Sequence, residues 1–273
     1  MILHETVTLK NGIVMPKMAL GTSFMSITKA KDAVKNALKT GFLHIDTAQS
    51  FNNEEGVAKG IKEAGIDRHN VFITTKIAAE IKNFTGAEYS IEKSLEKLDT
   101  DYIDLLLIHA PMPWDEIKGR KRYFKENIEV WKAMEKLYKS GRIRALGISN
   151  FKKEDIKNIL ENCTIEPSIN QIKIYPGSSN AALLNYMKKS TQIIPQAYFP
   201  SEYEKILENP TIKNLSEKYG VSQQKICIKF ALQIGTPPVI KVKEKEEIEE
   251  FKNMDFSINE EDMKILTGLG FKN

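Results

Sequence analysis

Three ionisable residues stand at the ends of short apolar runs in this chain. Asp46 ends the run FLHID, Lys76 ends VFITTK and His109 ends IDLLLIH. A carboxylate stabilises a nearby ammonium ion, and an imidazole can donate or accept a proton near neutral pH. If the fold brings these side chains together, they form a site for acid-base chemistry.

Each candidate also has a simpler interpretation when it is considered alone. Asp46 can form an Asx turn with the residues that follow it, and His109 can be held by backbone groups. Lys76 can be the solvated end of a strand, and Ser149-Asn150 can cap the next helix. Tyr198 can belong to the core. The position of these residues in the fold decides between the two interpretations.

The order of the predicted elements indicates where these residues lie. Eight apolar runs have the composition of buried parallel strands, at 18–22, 42–46, 71–76, 103–109, 145–149, 168–174, 192–198 and 238–242. Segments with helical spacing alternate with them, at 28–40, 53–64, 86–98, 127–140, 153–162, 181–189, 211–219, 222–233 and 244–253. In a chain of 273 residues this alternation predicts an α/β fold, a single (β/α)8 barrel domain spanning residues 1–273. An open doubly wound sheet is the alternative.

An N-terminal β-hairpin is predicted before the barrel. TVTLK and IVMPKMALG flank Asn11-Gly12, a dipeptide favoured in two-residue hairpin turns.

A parallel barrel places its functional residues at the carboxyl ends of the strands. The residues at those ends are polar or charged: Thr22, Asp46, Lys76, His109, Ser149-Asn150, Gln171, Tyr198 and Lys241. Their shared rim favours the interpretation as a site over the separate structural interpretations.

The composition argues against several other classes of protein. The net charge is only +4, and the basic run KGRKR at 118–122 is short, so a solvated loop is expected there and no nucleic-acid partner. Cys163 and Cys227 are far apart, which fits a reducing cytoplasm without disulfides. No signal-peptide pattern or run of about 18 apolar residues occurs, and the histidines lack ligand spacing. We therefore expect a cytoplasmic protein with no membrane partner and no metal site.

Several segments together resemble the aldo-keto reductase family, particularly its bacterial members. They are LKNGIVMPKMALGTS, GFLHIDTA, NNEEGVAKGI, VFITTK, SLEKLDTDYIDLLLIH, GRIRALGISNF, EPSINQI and QAYFP. The similarity extends from about residue 6 to about residue 267. It implies a (β/α)8 barrel, a monomer and the reduction of a small-molecule carbonyl substrate by NADPH.

The resemblance also implies catalytic roles. The family uses an aspartate, a tyrosine, a lysine and a histidine, and Asp46, Lys76 and His109 match three of them. The tyrosine position, five residues after the aspartate, holds Phe51. Phenylalanine cannot donate a proton to the carbonyl oxygen. Either His109 takes over as donor or another tyrosine, such as Tyr123, approaches.

The cofactor contacts implied by the resemblance are retained at one end only. Ser149, Asn150 and Gln171 match the residues that hold the nicotinamide carboxamide, and Tyr198 matches the ring that stacks on it; Thr22, Asp46, Phe199 and Lys241 complete the implied set. At the adenosine end, Ile240-Lys241-Val242 replaces the usual Pro-Lys-Ser, Glu247 replaces an arginine, and Phe251 lies near the place of an asparagine. The resemblance implies NADPH as the cofactor, and these replacements leave NADH as the alternative.

The implied substrate pocket consists of Ser23, Phe24, Phe51, Ala110 and Met112. In the family a tryptophan often follows Gly-Thr and another often follows the histidine; here these positions hold Ser23 and Ala110. A wide pocket is therefore expected, unless Phe24, Met112 or Trp114 fills it. Two functions follow: a carbonyl oxidoreductase with atypical or reduced activity, or a cofactor-binding pseudoenzyme or regulatory protein. A barrel that only scaffolds a partner is a third possibility.

Overall fold

A computed structural model describes residues 2–116, 119, 121–178, 180–199, 203–242 and 245–270. The basic run at 118–122 and the helix predicted at 244–253 therefore lie partly outside the described residues.

Eight parallel strands form a closed barrel, in which the last strand pairs with the first. Its strands are β3 (Ala19–Gly21), β4 (His44–Asp46), β5 (Phe72–Ile77), β6 (Leu105–Ile108), β7 (Leu146–Ser149), β8 (Ile169–Lys173), β9 (Ile194–Tyr198) and β10 (Pro238–Ile240). The predicted (β/α)8 barrel is confirmed, and the open doubly wound sheet was wrong because closure leaves no sheet edge.

The predicted hairpin precedes the barrel and consists of β1 (Thr6–Thr8) and β2 (Val14–Pro16). Its turn differs from the two-residue turn expected at Asn11-Gly12. Leu9 pairs with Ile13, and the amide of Gly12 donates to the carbonyl of Leu9, so three residues form the connection. Gly12 has φ 83°, the left-handed conformation that a three-residue hairpin loop requires.

Helices surround the barrel and follow the predicted alternation. They are α1 (Ile27–Thr40), α2 (Glu54–Ala64), α3 (Phe84–Leu98), α4 (Phe124–Lys139), α5 (Lys153–Asn162), α6 (Ala181–Ser190), α7 (Tyr203–Leu207), α8 (Pro210–Tyr219), α9 (Gln223–Gln233), α10 (Lys245–Glu250) and α11 (Glu260–Thr267). The sequence did not predict α7 and α11. Both span fewer than nine residues, too short for a clear helical period.

The inside of the barrel is closed at its amino end. Leu105 and Leu107 of β6 point inward and pack with Leu9 and Met15, which the hairpin contributes. The alternate residues Leu106 and Ile108 join the larger core under the helices. Because the hairpin covers this end, a ligand has to enter from the carboxyl ends of the strands.

Other expectations concern features outside the barrel interior. Cys163 and Cys227 are free thiols. Among the described residues, no group of three potential ligands from His, Cys, Asp and Glu has the geometry to hold a metal ion. In the described part of the chain, every helix is too short or too polar to cross a bilayer.

Candidate active site

A buried ion pair forms the base of the site. In the parallel register Asp46 lies beside Thr74, so Lys76 reaches the same inner face two residues further along β5. Lys76 Nζ donates to Asp46 Oδ1 at 2.5 Å and to the carbonyl of Thr47 at 2.9 Å. Burial lowers the pKa of Lys76, and the Asp46 carboxylate opposes that shift.

The second carboxylate oxygen of Asp46 is held from across the barrel. Gln171 Nε2 donates to Asp46 Oδ2 at 2.7 Å and to Gln196 Oε1 at 3.0 Å. Both oxygens of Asp46 are thus engaged, and the carboxylate has a fixed orientation towards Lys76.

His109 follows β6 directly and lies beside this pair. Two aromatic rings contact the imidazole edge to face, Phe51 at 5.6 Å and Trp114 at 5.2 Å between centroids. Burial, with a further contribution from the positive charge of Lys76, lowers the pKa of His109 to about 3. The ring is therefore neutral at physiological pH.

A short 3-10 turn, Gln49–Phe51, presents Ser50 and Phe51 to the cavity. The side chain of Gln49 anchors the turn: it donates to the carbonyl of Ser90 at 3.0 Å and accepts from the amide of Ala78 at 2.9 Å. The ring of Phe51 then lies 5.4 Å from Lys76 Nζ. On the other side of the turn, Ser50 Oγ is 3.1 Å from His109 Nδ1.

Asn53 ties the loops after β3 and β4 together. Its amide nitrogen donates to the carbonyls of Thr22 and Met25, at 2.8 and 3.0 Å. Its Oδ1 accepts from the hydroxyls of Thr22 and Thr47, at 3.2 and 2.9 Å. These buried bonds hold the turn that carries Phe51 against the mouth of the barrel.

Ser149, Asn150 and Tyr198 form a hydrogen-bonded cluster at the ends of β7 and β9. Ser149 ends β7, and Asn150 follows with φ 62°. Asn150 Nδ2 donates to the carbonyl of His109 at 2.9 Å, and the hydroxyl of Tyr198 donates to Asn150 Oδ1 at 2.7 Å. The left-handed backbone of Asn150 is thus stabilised by its own side-chain contacts.

These groups surround a cavity of about 530 Å³ at the carboxyl ends of the strands. Most of the predicted site residues line it: Ser23, Phe24, Asp46, Phe51, Lys76, His109, Ser149, Asn150, Gln171, Tyr198, Phe199 and Lys241. Gly21, Ser50, Trp114, Lys173, Val239 and Ile240 also line it. The structure therefore gathers residues from all eight strand ends or the loops after them.

Comparison with known proteins identifies the chain. Residues 13–270 match the Aldo/keto reductase family. The chain belongs to this family. It is 36% identical over 269 residues to the glyoxal reductase of Bacillus subtilis (strain 168), covering 98% of this chain and 93% of that protein.

Two further relatives agree. The NAD/NADP-dependent indole-3-acetaldehyde reductase of Schizosaccharomyces pombe is 35% identical over 271 residues, which cover 94% of this chain and 92% of that protein. The crystal structure of a Bombyx mori aldo-keto reductase in complex with NADP has a TM-score of 0.85 at 29% identity, covering 96% of this chain and 92% of that one. Members of the family use nicotinamide cofactors.

The structure does not bring every residue implied by the aldo-keto reductase resemblance to the cavity. Thr22 is fully buried in its bonds to Asn53. Ala110 is also fully buried, and its carbonyl accepts from Lys82 Nζ at 3.0 Å. Met112 is 8% exposed and does not line the cavity. Thr22 was implied as a cofactor contact, and Ala110 and Met112 as parts of the substrate pocket; all three are buried, and none of them lines this cavity.

Tyr123 is not placed to replace the missing phenol. It is buried, and its hydroxyl donates to Glu116 Oε1 at 2.5 Å, away from the cavity lining. Trp114, one of the three side chains suggested as fillers of the wide pocket, does reach it and packs on His109.

Two polar side chains that line this cavity were not assigned to the site from the sequence, Lys173 and Ser50. Lys173 and Gln171 lie two residues apart in β8, and both line the cavity. Because side chains alternate between the two faces of a strand, the assignment of Gln171 to the site could have predicted Lys173 as well. Ser50 had no linear signal, since the 3-10 turn alone directs it to His109.

Proposed function

We propose that the protein is a nicotinamide-dependent carbonyl oxidoreductase that reduces aldehydes or ketones, with atypical or reduced activity. The observation that supports this most is the buried Asp46–Lys76 pair beside a neutral His109 on the wall of an open cavity. A negative charge that develops on a carbonyl oxygen there would be stabilised by the positive charge of Lys76.

The residues at the mouth fit a nicotinamide dinucleotide. Ser149, Asn150 and Gln171 supply amide and hydroxyl groups for a carboxamide, Tyr198 supplies an aromatic face, and Lys241 supplies an ammonium ion for a phosphate. When bound, the cofactor supplies the hydride. We propose NADPH as the cofactor, with NADH as the alternative, because the carboxylate of Glu247 replaces the implied arginine.

The proton needs a donor from the protein or from water. Phe51 lies where the resemblance puts a tyrosine, and its ring has no group that donates. Among the described residues that line the cavity, we assign the donation to His109, whose neutral imidazole carries one N–H. Lys76 provides the charge that stabilises the developing alkoxide.

We propose aldehydes as the first substrate class. Phe24, Phe51, Trp114 and Phe199 give the cavity apolar aromatic walls, and Phe24 is 81% exposed at its edge. Two relatives are named as reductases of aldehydes, glyoxal and indole-3-acetaldehyde. Such a pocket accommodates planar or small carbonyl compounds without requiring an ionic contact.

The proposal is tested by binding and turnover in the natural protein. Titration of protein fluorescence is expected to show NADPH binding, and Lys241→Met is expected to weaken it about tenfold by removing a phosphate contact. Turnover of glyoxal, aromatic aldehydes and diketones should then be slow but measurable. No binding of NADPH or NADH would contradict the proposal.

A pH profile tests the state of His109. With its pKa lowered to about 3, the imidazole remains neutral across physiological pH. The profile of kcat is therefore expected to show no step from this group between roughly pH 5 and 8. A step near the ordinary histidine pKa that disappears in His109→Gln would contradict this assignment.

A second candidate is a cofactor-binding pseudoenzyme or regulatory protein. Phe51 favours it by lacking a hydroxyl. Phe251, near the place of the implied asparagine, is only 1% exposed and packed in the core, so it supplies no polar contact at the adenosine end. Tight cofactor binding with no turnover of any carbonyl compound would support this candidate over the reductase. A monomeric, cytoplasmic protein stays a prediction in either case.

A further inference from the structure

Ser50 contacts the imidazole of His109 at Nδ1, one of the two ring nitrogens that can carry its proton. Its Oγ lies 3.1 Å from His109 Nδ1, while the residue itself is exposed at the cavity. The anchored Gln49 side chain and the hydrogen bond from the amide of Phe51 to the carbonyl of Ala48, 3.0 Å, fix the turn on which it lies. The contact therefore belongs to a built part of the site.

The other ring nitrogen has access to the cavity. Among the described residues, the buried side-chain nitrogen and oxygen atoms without a hydrogen-bond partner belong to Arg142, Asn170 and Gln196. His109 Nε2 is not among them, although the hydrogen bonds of His109 to described residues involve only Nδ1 and the backbone, so Nε2 is not sealed in the protein. His109 lines the cavity at 8% exposure. A carbonyl compound in the cavity can thus meet Nε2 while Ser50 occupies Nδ1.

A neutral imidazole carries its single proton on one nitrogen or on the other. A hydroxyl can donate to an unprotonated Nδ1 or accept from a protonated one. If Ser50 donates, the proton lies on Nε2, and only this tautomer can deliver a proton to a carbonyl oxygen in the cavity. In the hydrolase triads a hydrogen bond at the far nitrogen also sets the tautomer, but there a carboxylate accepts from Nδ1–H and leaves Nε2 unprotonated.

We propose that Ser50 is a positioning residue that donates to His109 Nδ1 and thereby holds the imidazole in the Nε2–H tautomer for proton delivery. The inference rests on the proposed function, in which His109 is the donor. Ser50 is an exposed residue at the cavity, so water there can donate to its hydroxyl oxygen while the hydroxyl proton points to the ring.

The same contact completes the proton balance. An imidazole that gives up its Nε2 proton becomes an imidazolate unless Nδ1 receives a proton at the same time. The Ser50 hydroxyl proton passes to Nδ1, and a proton from water replaces it on Oγ. One solvent proton is thus consumed for each hydride added to the carbonyl carbon, and exchange with water restores the Nε2–H form after the alcohol leaves.

The tautomer can be measured without turnover. Nitrogen NMR of the 15N-histidine-labelled protein, with His109 assigned by comparison with His109→Gln, is expected to show a protonated Nε2 and a hydrogen-bonded, unprotonated Nδ1. Ser50→Ala should convert part or all of the signal to the Nδ1–H form, and Ser50→Thr should retain the natural tautomer. A natural protein in the Nδ1–H form, or an unchanged tautomer in Ser50→Ala, would overturn the inference.

Kinetics supply the second readout. Ser50→Ala is expected to lower kcat about 10- to 100-fold, the usual cost of losing such an orienting contact, with KM changed by less than about twofold. Ser50→Thr should restore most of the rate. Ser190→Ala, at an exposed serine that ends α6, is the matched control and should retain the natural rate. Equal kcat in Ser50→Ala and the natural protein would count against the inference.

The two proposals fail in different ways. Absence of turnover in the natural protein overturns the proposed function, whereas the NMR result still decides the tautomer. In a Phe51→Tyr background a phenol can donate instead, so Ser50→Ala should cause a smaller loss of kcat than it does in the natural protein. An equal loss in both backgrounds would show that Ser50 does not act through proton delivery by His109.

Discussion

Phe51→Tyr is expected to raise kcat/KM for aldehyde reduction by roughly 100-fold or more, since a general acid typically contributes about 10²- to 10⁴-fold. The ring of Phe51 already lies 5.4 Å from Lys76 Nζ and edge to face with His109 at 5.6 Å. A hydroxyl on this ring would enter the cavity near the ammonium ion. The positive charge of Lys76 would lower the pKa of the new phenol and increase its acidity.

The measurement compares steady-state rates for one aldehyde and one diketone under saturating NADPH. Phe51→Leu is the matched control, because it alters the packing against His109 without adding a donor. Its rate should not exceed that of the natural protein. If Phe51→Tyr were no faster than Phe51→Leu, the absence of a hydroxyl at residue 51 would not limit the natural activity.

Asp46→Asn is expected to destabilise the fold by about 3–5 kcal/mol and to abolish most of the activity. Both side chains of the pair are nearly inaccessible, with Asp46 4% and Lys76 2% exposed. Removing one partner leaves the other charge buried without compensation, which costs about that much. The lost orientation of Lys76 also removes the stabilisation of the developing oxyanion.

A double-mutant cycle separates the pair from simple packing. Asp46→Asn combined with Lys76→Met removes both charges, and its free energy of unfolding in urea should recover much of what each single variant loses. Additive losses in the double variant would show that the two side chains do not stabilise the fold as a pair.

The buried Lys76 makes the free energy of unfolding depend on pH, both in the natural protein and in Asp46→Asn. In the folded natural protein the pKa of Lys76 is below its ordinary value of 10.5, because burial lowers it more than the Asp46 carboxylate raises it. Between the lowered pKa and 10.5 the unfolded chain binds more protons, so the free energy of unfolding rises with pH across that window. In Asp46→Asn the pKa of Lys76 falls further, because the carboxylate that raised it is gone. The free energy of unfolding of this variant should therefore decrease with falling pH over a wider pH range than that of the natural protein. A stability that falls with rising pH there would contradict this account.

The sequence predicted the positions of the strands well because each strand is covered on both faces. Such strands are continuous apolar runs, as LLLI of β6 shows, and their polar residues appear only where the strand ends. Asp46, Lys76 and His109 could therefore be assigned to one rim before the structure was known. The predicted bounds differ from the observed ones by only a few residues, as in 168–174 for Ile169–Lys173.

Side-chain direction in the loops could not be predicted in the same way. Thr22 and Ala110 follow strand ends, as Ser23 and Trp114 do, but they point into packed protein. Which side chain faces the cavity depends on hydrogen bonds to residues distant in the sequence, such as those from Asn53 and Lys82. The three-residue hairpin loop was predicted as a two-residue turn because Asn11-Gly12 suits both. The short helix α11 was missed because it has no clear helical period.

By itself the sequence determined the barrel, the rim on which the charged residues lie, and the absence of a hydroxyl at residue 51. These properties follow from local periodicity and residue type. Only the tertiary structure decided that Ser50 contacts the ring of His109 and that Tyr123 is engaged by Glu116. The first contact joins two separate loops, and the second lies within the long connection between β6 and α4; neither has a pattern in the sequence, because the packing of the loops sets their geometry.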